Sequence, residues 1–401
     1  MTSLSTAATT PAPAGAGPAA IVFRVLCLIA LLALGTSYFT PAWWVSLKAP
    51  NYPEQTFPDG VKILFHVDRV ANGCEMRNSK EVLEKEALDC VHEMDTINHF
   101  VGMYPIASGG PAEKLLSPFL FSFIGVCILG FAVPGVRMRL LAMGVGFAAI
   151  AVWMTLALYT PNGVQYLSKG WVTGLVDSLG RSEDETKEQD LHPVVKQLKE
   201  SLAKSGIQVG AEGPKLAAAA TKAQLVEVLT AVHDMKAPVS LTDPTVGKWT
   251  GRGIDVMAWH YEESLGRWFN EPAKNQRLVA IMTTSTHVVY VGLLAAMVLF
   301  LWIGSRPRSA LFVALAAVPM ILPLGFLAEY SAWLWWYGHS LNAMGAFTLK
   351  PFMPTVFGDG KVAQFSTHSY PAIGFGLMCV VGLSMTVALL LRRSLPASAK
   401  D

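Results

Sequence analysis

The chain has 401 residues; 52% are hydrophobic, 15% are charged, and the formal net charge is +2. Soluble domains average about 25% charged residues, and the apolar residues here gather into runs of about 20, the length that crosses a bilayer core. The sequence therefore argues against an ordinary soluble domain and predicts an all-α polytopic membrane protein with about six transmembrane helices. The charge balance decides nothing about nucleic acid, but no basic, aromatic-interleaved strip is present, so nucleic acid is not an expected partner.

In chain order, residues 1–19 are uncharged and rich in Ala, Thr, Pro and Gly, the composition of a disordered tail. The first span covers 20–40. Arg24 before an apolar run also fits a signal peptide, but the run is longer than a usual signal core, which favours a retained anchor. A loop follows at 41–115, and its first part, 41–73, reads as extended. Its stretch TFPDGVKILFHVDRV alternates like a strand entered by a turn. Cys74 and Cys90 in this loop are expected to form a disulfide around a short helix at EMRNSKEVLEKEALD, closing a loop worth roughly 3 kcal/mol in the chain-entropy model. A thiolate metal pair is the alternative reading. Spans at 116–134 and 140–160, within a 116–160 hairpin, flank Arg137 and Arg139. The long connection 161–283 carries fourteen basic and fifteen acidic residues and reads as a small insertion of amphipathic helices, with Thr221 to Gln224 as a cap. Spans at 284–304 and 309–328 flank Arg306 and Arg308; a loop covers 329–370, and the last span, 371–391, runs into Arg392 and Arg393 in the tail 392–401.

Basic residues in short loops mark the cytoplasmic side. The three arginine pairs therefore place both termini inside and put 41–115, 161–283 and 329–370 outside, with 28 of the 29 acidic residues. The expected location is a bacterial inner membrane, with the lipid bilayer and other membrane or periplasmic proteins as partners.

Histidines concentrate in the outer segments. In CVHEMDTINHFVGMYP, His92 and Met94 are two apart, and His99 and Met103 are four apart, on one side of a helical turn. His339 follows span five and His368 precedes span six. Imidazole with thioether on an oxidising face points first to copper. Haem b is the second candidate, because His/Met and His/His are axial pairs. The expectation is a shared site of His99, Met103, His339 and His368, with His92 and Met94 at its rim. Glu329, at the end of span five beside Tyr330, Trp333, Trp335, Trp336 and Tyr337, is a further candidate, because a carboxylate in apolar surroundings is functional by default. Lys350 is its expected partner.

The pieces INHFVGMYPI, WWYGHSLN, PFMPTVFG and KVAQFSTHSYPAIG resemble a bacterial membrane-protein group carrying N-H-Y-I-G-M, Y-G-H-x-L-D and F-x-T-x-S-Y-P stretches. That group is associated with respiratory and copper-related accessory proteins of the nitrous oxide reductase type. The resemblance covers about a quarter of the chain, with His99, Gly102, Met103, Gly338 and His339 in matching positions. Asn342 stands where the pattern has an acidic residue, which puts a charge-based role there in doubt, and 161–283 has no counterpart.

No GxSxG, HExxH or Walker motif occurs, and a reaction is left open. The leading expectation is a copper-handling accessory or respiratory protein. The alternatives are an electron-transfer subunit with b-haem or a quinone pocket among the aromatics, a cofactor-free scaffold, and a copper-dependent oxygenase component.

Overall fold

The computed structural model describes residues 18–74, 89–106, 109–180, 197, 200–201, 220–236, 248–266, 271–347, 349–362 and 364–394. Residues 1–17 of the tail expected at 1–19, residues 75–88 of the helix expected over 75–89 and most of RSEDETKEQDLHPVVKQLKESLAKSG lie outside the described residues, while residues 18 and 19 already belong to the first helix.

Five helices are long and apolar enough to cross a membrane, and a bent pair makes up to six. They are α1 (Pro18–Phe39), α3 (Pro111–Ala132), α4 (Val136–Tyr159), α8 (Pro272–Gly304), the pair α9 (Ala314–Met320) with α10 (Leu322–His339), and α11 (Ile373–Ser394). These are compatible with a multi-pass membrane protein. α3 is the central helix and is mostly buried; it packs on α1, α4, α8 and α9. α1 runs along α11, so the first and last of the described helices lie side by side.

The arginine turns meet at one end of the bundle. Arg139, fully buried, donates to the carbonyl of Gly304 at 3.4 Å. Arg392 donates to the carbonyl of Phe131 at 3.1 Å and lies 4.3 Å from the Phe312 ring. The sequence required these three turns to share a side, and they do.

The other end corrects the all-α expectation. A five-stranded antiparallel sheet, in the order β3-β2-β1-β5-β4, is built from both loops there. Its strands are β1 (Trp43–Lys48), β2 (Val61–Phe65), β3 (Val70–Asn72), β4 (Gly358–Val362) and β5 (Phe365–Pro371). β2 falls within the segment read as a strand, and β3 begins on its last residue, Val70. β1, within the part read as extended, and β5 were not read as strands because their tryptophans and tyrosine also fit an interfacial belt, and because the partner of β1 lies across the whole chain. Ser369 on β5 joins them: its Oγ accepts from Trp43 Nε1 at 2.9 Å and donates to the carbonyl of Val356 at 2.8 Å.

The expected disulfide is present, linking Cys74 after β3 to Cys90 at the start of α2 (Cys90–Phe100). Of the long insertion, α5 (Lys169–Gly180), α6 (Lys222–Lys236) and α7 (Gly253–Gly266) are described. α7 packs on α8, α3, α4 and α5, so the insertion lies on the helices at the sheet end. The cap read at Thr221 is a capping box: Gln224 Oε1 accepts from the Thr221 N–H at 2.8 Å, and Thr221 Oγ1 accepts from the Gln224 N–H at 3.4 Å.

α9 and α10 bend by 54° at Ile321. Pro319 and Pro323 flank the break. Proline lacks an N–H and its ring crowds the carbonyl four residues back, so a helix kinks there. Beyond the kink α10 packs on α11 and makes no extended contact with α3 or α8. The kink thus opens a wedge between α3, α8 and α10.

Candidate functional site

The wedge is a cavity of about 490 Å³, within the range of roughly 300–1,000 Å³ typical of small-molecule sites. α3 lines it from Gly110 to Ile124, about 20 Å at 1.5 Å per residue. Leu120, Ile124, Val289, Leu293, Ile321 and Phe326 make an apolar wall. At the sheet end the lining changes to Glu113, Lys114, Ser117, Glu329, Trp333 and Tyr337, with His66 from the turn after β2.

Each polar group has a local reason to be there. Gly110 precedes α3 with φ +68°, a left-handed conformation that suits glycine, and Pro111 starts the helix without needing an N–H partner. Glu113 then falls in the first turn, where a carboxylate favours the helix dipole. A Cβ on Gly110 would lie 3.6 Å from Glu113 Oε2, 3.7 Å from Trp333 Nε1 and 3.8 Å from Lys114 Cε, so these three side chains converge beside the start of the helix. Pro118 frees the carbonyl of Lys114 from its helical partner, and Ser117 Oγ donates to it instead at 2.8 Å. Tyr337 is anchored by donating to the carbonyl of Pro105 at 3.1 Å.

Glu329, singled out from the sequence, lines the cavity on α10, and its charged neighbours are Glu113 and Lys114 rather than Lys350. A charge in apolar surroundings costs free energy unless balanced. One ammonium balances one carboxylate; the second calls for a proton or a hydrogen-bond donor. His66 Nδ1 has no hydrogen-bond partner among the described residues, and burial, then the nearby Arg69 charge, lowers its pKa to about 4, so it presents a neutral imidazole. Neither Glu113 nor Lys114 was a sequence candidate, because the span was started at 116. The Pro111-Ala-Glu113 helix start was the signal that would have found them.

The histidine and methionine candidates are placed as follows. Met94 and Met103 are buried in the apolar core. His92 is half-buried on α2, and His99 is half-buried with its ring 6.3 Å from that of Phe100. Gly102, at φ +81°, accepts from the Asn342 N–H at 2.7 Å, which brings the ends of α2 and α10 together, and with them the segments of His99 and His339. Asn342 itself donates through Nδ2 to Glu271 at 2.6 Å. His339 is exposed, stacked 4.4 Å from Trp335, with Nδ1 2.8 Å from the carbonyl of that residue. His368 stands apart on β5, where Nδ1 meets Asp359 Oδ1 at 2.6 Å; α2 packs on β2 and β3, with β1 between. Among the described residues, no three His, Cys, Asp or Glu side chains are grouped to hold a metal.

No family model matches this chain, and neither a curated protein nor a solved structure is similar to it at a significant level. The site therefore has to be read from its own chemistry.

Proposed function

We propose that this chain is a multi-pass membrane protein, with its arginine end cytoplasmic and its sheet outside, that binds a neutral, apolar-tailed molecule of the quinone/quinol class in the wedge between α3, α8 and α10. The observation that carries this is the cavity itself: about 20 Å of apolar wall ending in Glu113, Lys114 and Glu329. The apolar length suits an isoprenoid tail. At the polar end Lys114 offers hydrogen-bond donors to a carbonyl oxygen, while Glu113, which Trp333 also meets, and Glu329 offer acceptors to a hydroxyl. A phosphate headgroup would bring negative charge to two carboxylates and one ammonium, an unfavourable match. The reading makes the chain a quinone-binding subunit of a respiratory membrane system. The copper reading keeps its argument from His/Met chemistry, and the same preparation tests it.

Gly325 supplies the test. It lines the cavity, and a Cβ there would meet nothing within 4 Å. Phenylalanine at this position fills the cavity while leaving the helix intact. Purified protein titrated with a short-chain quinone should show saturable quenching of tryptophan fluorescence, and solvent extraction should recover a native quinone. Gly325→Phe should weaken the titration at least about tenfold, roughly 1.4 kcal/mol. Quenching that never saturates, or that Gly325→Phe leaves unchanged, rejects the quinone site. Copper near one equivalent, lost in His99→Ala, would support the metal site in its place.

A further inference from the structure

Lys114 lines a second space besides the cavity. This void of about 10 Å³ is bounded by Asp68, Arg69, Lys114, Trp171 and His260 among others. That is the room one water molecule needs. Beyond it, Asp68 is itself buried, at 4% exposure, but it is not isolated. Its Oδ1 accepts from Arg69 at 2.9 Å and its Oδ2 from the Ser168 hydroxyl at 3.2 Å, and the Arg69 side chain is 30% exposed. Gly170 sits against both Asp68 and Arg69, where any Cβ would collide with them, so the start of α5 closes over this pair. Lys114 thus lines both the cavity that holds Glu113 and Glu329 and the water-sized void that holds Asp68 and the partly exposed Arg69.

We infer that Lys114 and Asp68 form a proton path connecting the cavity with the sheet-side surface. The inference rests on reading the cavity as the site of a molecule that exchanges protons, but its test needs no such molecule. In the outward direction the Lys114 ammonium gives a proton through the void to the Asp68 carboxylate. A carboxylic acid at Glu113 or Glu329 gives its proton to the resulting amine, and Asp68 releases its own through the Ser168 hydroxyl. One proton leaves the cavity and one reaches the surface, and nothing is oxidised or reduced. The charged groups facing Lys114 are Glu113 from α3, Glu329 from α10, Asp95 from α2 and Asp68 from the turn after β2. Arg69 and His260 share the void. His260 does not compete for the proton near neutral pH, because burial and then the Lys114 charge lower its pKa to about 3. Asp68 is suited to the relay, because burial raises its pKa while Arg69 and Ser168 draw it back down.

The test is a pH jump on the full chain in lipid nanodiscs, where lipid fills the mouth of the wedge. Infrared absorption follows the cavity carboxyl groups, identified by the signal lost in Glu113→Gln or Glu329→Gln. In wild type this signal should follow the jump promptly. Asp68→Asn, which keeps the size of the side chain and an acceptor for Arg69 but removes the carboxylate, should slow it at least tenfold, and Lys114→Met should do the same. Melting curves establish that each variant is folded, and Ser168→Ala, with a smaller slowing, serves if either is not. Equal rates in wild type and Asp68→Asn overturn the path, as does a signal that neither glutamate substitution removes. Slow exchange in Asp68→Asn together with failed quinone binding leaves the path standing and rejects only the ligand.

Discussion

Removing one hydroxyl, in Ser369→Ala, should cost a disproportionate share of the stability. Ser369 is fully buried, and its Oγ is the junction of three elements: it accepts from Trp43 Nε1 on β1 at 2.9 Å, donates to the Val356 carbonyl at 2.8 Å and lies 3.3 Å from Tyr330 Oη on α10. Alanine has nearly the same shape, so packing changes little. The Trp43 side chain is 2% exposed, and in the variant its indole N–H has neither serine nor water to bond. A buried donor left unmade costs about 1–3 kcal/mol, and each of the other two contacts adds about 0.5–1.5 kcal/mol or less once Tyr330 turns. The expected loss is about 2–4 kcal/mol, equivalent to thirtyfold or more in the unfolding equilibrium. Reversible unfolding in mixed micelles of sodium dodecyl sulfate and a mild detergent, followed by tryptophan emission, measures it. Ser366→Ala, half-buried on the same strand, is the control and should stay within about 0.5 kcal/mol. A Ser369→Ala variant as stable as the control would show that the hub carries no weight, and that the sheet is held to the helices by apolar contact alone.

Two further outcomes are expected. Reducing the Cys74–Cys90 bridge, or changing both residues to serine, should cost about 3 kcal/mol for a loop with sequence separation 16; denatured, unreduced protein should label at Cys27, Cys127 and Cys379 but at neither bridge cysteine. The His260 site should make the fold acid-sensitive. Histidine in an unfolded chain takes its proton near pH 6.5, but here only near 3, so its contribution is complete above about pH 6.5 and shrinks as the pH falls toward 3. Stability should drop by about 1–2 kcal/mol from this group between pH 7 and 5, and His260→Asn should flatten that part of the profile. A wild-type slope unchanged in the variant would place the acid sensitivity elsewhere.

The helices were legible because twenty apolar residues in a row have few alternatives, and the meeting of Arg139 with Gly304 and of Arg392 with Phe131 agrees with the loop-charge argument. Cys74 and Cys90 were legible for a similar reason: two outer cysteines at a workable spacing. The sheet was not. WWVSLK is too short to declare itself a strand, and its pairing with FSTHSYP is a fact about the fold rather than about either segment. The candidate site was half-legible. Glu329 stood out as an acid in an apolar run, whereas Glu113 and Lys114 looked like ordinary solvated loop residues until Pro111 was recognised as the first residue of the helix. The NHFVGM stretch drew attention to its histidine and methionine, but two of its residues have an evident packing role. Met103 fills the core, and Gly102 must be glycine because its φ is positive and the Asn342 carbonyl lies 2.6 Å from where a Cβ would stand.

The pairing of β1 with β5 also sets an order of events during synthesis. Trp43 emerges 326 residues before Ser369, the group its indole N–H requires. Throughout that interval β1, β2 and β3 present an unpaired edge, the kind of edge that recruits other strands. Contacts so distant in sequence form slowly. β5 is made after the other strands, so that edge stays open until residue 371 has emerged. A ribosome stalled before β5 would therefore leave a nascent chain with most of its helices and an open half-sheet, a species prone to pair with other strands.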